Sequence, residues 1–238
     1  MYNRASDSQF VTVLVGPEKK PFVVHRDLLI YHSDFFRAAL TSNFEEAKNK
    51  NVTLPDDEPT IFEFFVHWLY HKELPTTDNA PTELLKDWET DDCADSLKVD
   101  NIIYLYVLGD KRGVANLKLA TLAGLFQELS LYRENSFLPN PSIIGYAYEN
   151  LPVEHPLLRY LVDAHCYHVR SDYWLRTDVL PYPLIFLMNL MSRYAQFIQR
   201  ELSAWDDHEL DLCDYHDHKD KDEKAKCRWS QVTTCKDD

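Results

Sequence analysis

Apolar positions follow a definite order along the first part of the chain. Phe10, Val11, Val13, Leu14 and Val15 form a β-prone run, Gly16-Pro17 signals a turn, and Phe22, Val23 and Val24 form a second run. The two runs predict a hairpin that His25 closes. Leu28, Leu29 and Ile30 follow at once, too few for a long helix. Ser33 then reads as a helix N-cap, because its hydroxyl can accept a free N–H of the next turn, and Asp34 suits the positive helix end. Phe35, Phe36, Ala38, Ala39 and Leu40 fill the helix that follows. The pattern therefore predicts strand, strand, short helix, sharp stop and second helix.

Residues 41–51 are polar and read as a loop, with Phe44, Glu45 and Glu46 at its tip or docked on the sheet. Pro59 falls in the first turn of the next helix, where its missing N–H is no loss. Ile61, Phe65, Trp68 and Leu69 share a face of that helix. His67 and His71 stand four apart, a metal-ligand spacing, but no third ligand accompanies them and they read as a helix flank. Residues 75–100 break the pattern with an acidic insert, read as a mobile loop with a short helix at 82–88 and a solvated face. Asp100 is expected to cap a buried helix over 101–111, with Gly113 at its C′ position. Residues 116–131 repeat Leu119, Leu122, Ala123, Phe126 and Leu129 at helical spacing.

A linker at 138–141 precedes three more helices. One spans 142–150 behind a Ser142 cap. One spans 155–170 with Pro156 in its first turn. One spans 183–204, with Leu184, Leu187, Met188, Met191, Tyr194, Ala195, Ile198 and Leu202 as its core-facing stripe. His165, Cys166 and His168 share the second of these; among Tyr and Leu they read as packing residues.

Composition narrows the function classes. The chain has 238 residues, enough for one large domain or two small ones. Its five glycines form no phosphate-cradling array. A net charge of -14 argues against direct binding to nucleic acid or anionic lipid. No apolar run approaches the ~20 residues that span a bilayer. The five cysteines are odd in number and scattered, behind a polar N-terminus, so a reducing compartment is expected: cytoplasm, nucleus or both.

The run from 22 to 40 resembles the signature of the BTB/POZ domain, a strand followed by His-x-x-x-Leu and Ser-x-Phe-Phe. His25, Leu29, Ser33, Phe35 and Phe36 hold those places. Val52-Thr-Leu-Pro-Asp56 is similar to the family's third strand and its exit. Trp68-Leu-Tyr70 with Leu74 resembles the end of its next helix, and Leu105 to Gly113, with Leu117 beyond, the following helix pair. The acidic insert makes the pattern most like fungal members. The family often carries an acid at the entry of its first strand; here Gln9 or Phe10 stands there.

The resemblance implies an α+β fold: a small, mostly antiparallel three-stranded sheet capped by a helical cluster, followed by an all-α C-terminal extension. The BTB/POZ domain would cover 5–132, with its insert at 75–100, the helical extension 139–205, and a charged, disordered tail 206–238. It also implies a protein-interaction adaptor or scaffold that forms homo- or hetero-oligomers and serves as a substrate adaptor of a cullin-3 ubiquitin ligase. Its contact surface would map to Phe44, Glu45, Glu46 and Tyr70. A transcriptional or chromatin scaffold acting through a DNA-binding partner is the alternative. The extension carries no recognisable Kelch, MATH or zinc-finger repeat.

No catalytic residue, cofactor or membrane partner is expected. His-Glu-x-x-His and Gly-x-Ser-x-Gly are absent from the sequence, and its acids and histidines are scattered. One constellation competes with disorder in the tail. Cys213-x-x-His216-x-His218 and then Cys227 supply two thiols and two imidazoles, the donors tetrahedral zinc prefers, which would make the tail a zinc-stabilised binding module. The spacing matches no standard finger, and Cys235 is left over.

Overall fold

The computed structural model describes residues 10–41, 50–89, 97–130, 138–168, 182–199 and 210–227. Strands β1 (Phe10–Val15) and β2 (Lys20–His25) form the expected hairpin. They pair antiparallel, Phe10 opposite His25 and Val15 opposite Lys20. Gly16 turns the chain at φ 76° and Lys19 at φ 57°. Strand β3 (Asn51–Leu54) lies parallel to β1 on its other side, so the sheet order is β2-β1-β3 and one of its two pairings is parallel. The strict alternation in β1 sends Val11, Val13 and Val15 into the core and leaves Phe10 48% exposed.

Helices α1 (Arg26–His32) and α2 (Asp34–Thr41) are separated by Ser33. The Ser33 hydroxyl accepts from the Phe36 N–H at 3.1 Å, the predicted cap, and donates to the Arg112 carbonyl at 2.5 Å. Helix α3 (Pro59–His71) opens on Pro59 and is closed by Lys72 at φ 62°. Phe36 and Phe65 stack with centroids 6.4 Å apart, and Phe62 meets Phe65 edge-on at 5.4 Å. These rings explain the paired phenylalanines: Phe36 is wholly buried, and Phe35 lies half-buried beneath the Arg112 guanidinium, 4.6 Å from its ring centroid.

Helix α4 (Thr82–Trp88) occupies the residues expected within the insert. The expectation of a mobile loop needs correction over 75–89. Leu84 and Trp88 are buried, and Trp88 stands edge-on to Phe64 at 4.8 Å. A single large ring in the core outweighs the acidic composition around it. Helix α5 (Leu97–Lys111) starts earlier than expected, so Asp100 lies in its first turn and is not its cap; the carboxylate instead accepts from the Asn140 side chain at 2.9 Å. Gly113 follows at φ 62°, with its carbonyl accepting from the Asp34 N–H at 3.2 Å.

Helix α6 (Ala115–Ser130) buries Leu122, Ala123, Phe126 and Leu129 as its periodicity predicts. Helix α7 (Pro141–Asn150) is capped by Asn140, whose Oδ1 accepts from the N–H groups of Ser142 at 2.9 Å and Ile143 at 3.1 Å. Ser142 is therefore not the cap. Pro141 takes the first helical position, which moves the cap back to the residue before it. Helices α8 (Pro156–His168) and α9 (Leu184–Gln199) follow. The expected stripe of α9 holds in part: Leu187 and Tyr194 pack half-buried against the core cluster, but among the described side chains of the helix the buried ones are Phe186 and Leu190, while Leu184, Met188 and Met191 stand 73%, 57% and 71% exposed. Phe186 finds aromatic partners in Tyr182 at 5.2 Å and His165 at 5.0 Å, and that pairing turns the helix.

The described residues fall into two compact units. The first takes those up to 89 and 104–121; the second takes 97–103 and those from 122 onward. Helices α5 and α6 each supply residues to both. The tail from 206, expected to be disordered, contributes residues 210–227 to the second unit as a 3-10 turn (Leu212–Asp214) and a short helix α10 (Lys221–Ala225). No described helix is long and apolar enough to cross a membrane.

Candidate functional site

Among the described residues, two places collect chemistry-bearing side chains. The first lies where β2 ends and α1 begins. The His25 backbone N–H donates to the Tyr70 hydroxyl at 3.2 Å, and His25 Nδ1 lies 2.7 Å from the same oxygen. The hydroxyl accepts the backbone N–H and also pairs with Nδ1, as donor or acceptor according to the imidazole tautomer. The His25 ring also faces Phe10 at 4.3 Å and Tyr70 at 5.6 Å. Tyr70 stays 44% exposed. Phe10, His25 and Tyr70 thus form an aromatic row open to solvent at the end of the hairpin. Phe10 was not singled out from the sequence, although strand alternation alone places it outward. Phe44, Glu45 and Glu46 lie outside the described residues.

The other signature residues serve the fold. Leu29 and Phe36 are fully buried, and Ser33 is buried and doubly hydrogen-bonded. Beside them, Arg112 closes on Asp57 through Nε at 2.9 Å and Nη2 at 2.8 Å, with the carboxylate side chain 5% exposed. This buried ion pair ties the exit of β3 to the end of α5. A charge pair so far apart in sequence leaves no local signal, and the sequence reading missed it. His67 and His71 stack at 4.3 Å as a helix flank, and burial lowers the His67 pKa first, with the His71 charge adding.

His165 and Cys166 behave as packing residues. His165 is fully buried with Nδ1 2.7 Å from the Leu161 carbonyl. Burial, with Asp163 nearby, pushes the Cys166 thiol up to about 12, which makes it a poor nucleophile. The side chain of His168 lies outside the described residues.

The second place is in the tail. Among the described residues one set of three or more His, Cys, Asp or Glu side chains converges: Cys213, His216, His218 and Cys227, with ligand atoms all within 4.8 Å of one another. Local structure delivers each donor. Asp211 accepts from the Cys213 N–H at 2.8 Å and sets the 3-10 turn. Tyr215 then drops into the second unit, its hydroxyl donating to Asp163 Oδ2 at 2.9 Å and its ring meeting Tyr160 at 4.9 Å. Burial first, and then the Asp163 carboxylate, raise the Tyr215 phenol. Arg159 covers the other side, its guanidinium 5.3 Å from the Tyr215 ring and bonded to the Asp214 carbonyl. Helix α10, capped by Asp220 at 2.8 Å from the Glu223 N–H, turns the chain back to Cys227. Burial, and then Asp211 and Cys227, push the Cys213 thiol up to about 12. Burial and then His218 keep His216 below its ordinary value and therefore neutral, the form that ligates.

The first unit is thus a small sheet backed by helices, with an aromatic row open to solvent at the end of its hairpin. Residues 2–103 match the family model of the BTB/POZ domain, and that part of the chain is a BTB/POZ domain. Kelch repeat and BTB domain-containing protein 4 of Homo sapiens is 37% identical over 62 residues, 26% of this chain and 12% of that protein. Kelch-like protein 40 of Xenopus tropicalis is 33% identical over 69 residues, 29% of this chain and 11% of that protein. The matched segments thus span about an eighth of these relatives. Both are vertebrate proteins, and the expected likeness to fungal members draws no support from them.

Proposed function

We propose that this chain is a non-enzymatic adaptor whose BTB/POZ domain docks a protein partner, with cullin-3 as the first candidate and ubiquitin transfer as the process served. The BTB/POZ match over residues 2–103 carries the reading. The exposed row of Phe10, His25 and Tyr70 supports it, because an aromatic face fixed by hydrogen bonds can be buried by a partner with little loss of side-chain freedom. Phe44, Glu45 and Glu46 extend the contact surface in this reading, with Phe44 as its anchor. The same reading places the chain in the cytoplasm, the nucleus or both.

Affinity purification of the full chain from cells, with a solution mass of the purified protein, tests this. Wild-type protein is expected to retain cullin-3. Phe44→Ala is expected to lose at least tenfold in recovery, since an anchor of this type contributes about 2 kcal/mol or more. Tyr70→Phe removes one hydroxyl and is expected to weaken recovery less. A folded wild-type chain that retains no cullin-3 overturns the assignment of that partner. Phe44→Ala with undiminished recovery overturns the role of Phe44.

A further inference from the structure

The convergence in the tail lacks the usual cause. From 213 to 227 the sequence is Cys-Asp-Tyr-His-Asp-His-Lys-Asp-Lys-Asp-Glu-Lys-Ala-Lys-Cys, in which only Tyr215 and Ala225 are neither charged nor among the four clustered residues. Tyr215 points into the second unit, where Asp163 and Tyr160 receive it. No apolar core remains to close the loop between Cys213 and Cys227, and a segment of this composition does not stay folded by burial.

We propose that Cys213, His216, His218 and Cys227 form a closed four-coordinate zinc site. Zinc bonded at about 2.3 Å to sulfur and about 2.0–2.1 Å to nitrogen sets its tetrahedral ligands about 3.3–3.8 Å apart. The contact between His216 Nε2 and Cys227 Sγ, 3.4 Å, already has the length of such an edge. The other ring nitrogen of His216 lies 3.1 Å from the Leu212 carbonyl, the outer bond that orients a metal-bound imidazole and leaves Nε2 for the ion. Nε2 of His218 is buried with no hydrogen-bond partner among the described residues, a desolvated nitrogen that a metal bond would satisfy. Two thiolates and one zinc ion sum to zero charge, which suits the buried Cys213. Each thiol gives its proton to solvent as the metal binds. Four protein donors leave no open position, so the site is structural. It clips the turn that carries Tyr215 and so secures the tail to helix α8. This inference stands apart from the adaptor reading and survives its failure.

Zinc content of the full chain, prepared without chelator and measured by plasma mass spectrometry, is the primary test. One zinc per chain is expected, falling to background in the Cys213→Ser/Cys227→Ser variant and persisting in Asp217→Asn. Cobalt added to metal-free protein is expected to give the thiolate charge-transfer band of a tetrahedral site. Folding of variants is bypassed by the wild-type chain itself: a strong chelator is expected to expose residues 210–227 to protease and zinc to restore protection. Zinc no higher in wild type than in the double variant overturns the proposal. A tail equally protease-resistant with and without chelator does so too, as does recovery of Cys213 and Cys227 as a disulfide from cells.

Discussion

Trp88→Ala removes the ring that holds the insert. Trp88 is fully buried and meets Phe64 edge-on at 4.8 Å. A buried aromatic side chain of this kind covers about 150–250 Å², worth about 4–6 kcal/mol at ~25 cal/mol per Å². Measured truncations of this type cost about 3–5 kcal/mol. The loss falls on a small element: α4 keeps only Leu84 as a buried residue, about 2 kcal/mol of burial against ordering costs of roughly 1–2 kcal/mol for each backbone residue. The insert is therefore expected to open locally while the sheet stays folded. Native-state amide exchange, read by mass spectrometry on peptides from 75–89, is expected to quicken about 10²- to 10⁴-fold in the variant, the equivalent of about 3–5 kcal/mol. Peptides from β1 and α3 should change far less, and Trp88→Phe should keep most of the protection. Exchange in 75–89 within about threefold of wild type would refute the anchoring role of Trp88.

Three other perturbations probe the first unit. Arg112→Met leaves the Asp57 carboxylate buried without its partner and is expected to cost about 3–5 kcal/mol, with Asp57→Leu in the same chain recovering part of it; urea unfolding of both variants measures the pair. Ser33→Ala removes an N-cap and the donor to the Arg112 carbonyl, an expected loss of about 2 kcal/mol that Ser33→Thr should largely avoid, read as a shift in urea midpoint. Burial, before any neighbouring charge, lowers the pKa of both His32 and His67 from 6.5, so the unfolded chain takes up these protons first. Stability is then complete above the unfolded value of 6.5 and falls as the pH drops below it; His32→Gln/His67→Gln should flatten that slope in thermal melts across the range.

Local signals carried most of the first unit. Alternation in β1, the Gly16 turn, the Ser33 cap and the Pro59 start are each stated by neighbours in sequence, and each is found. Errors arose where a distant partner decides. The acidic residues of the insert read as a loop, but Trp88 docks beside Phe64, and no residue near Trp88 announces that contact. The stripe of α9 was set from periodicity, which gives a face without saying which way it turns; Tyr182 and His165 choose Phe186. The Asp57–Arg112 pair was illegible for the same reason. In the tail, spacing named four donors, while their convergence depends on Asp211, Asp220 and the burial of Tyr215.

The family match ends at residue 103, midway along α5. A fragment cut at that border would contain every signature residue and still be incomplete. Asp57 would have no guanidinium to face, the Ser33 hydroxyl would have no carbonyl to donate to, and the Asp34 amide would lose Gly113. Three polar groups stranded together, two of them deeply enclosed, would favour aggregation over folding. Expression of the isolated domain should therefore extend through α6, because the residues that complete its interior lie beyond residue 103.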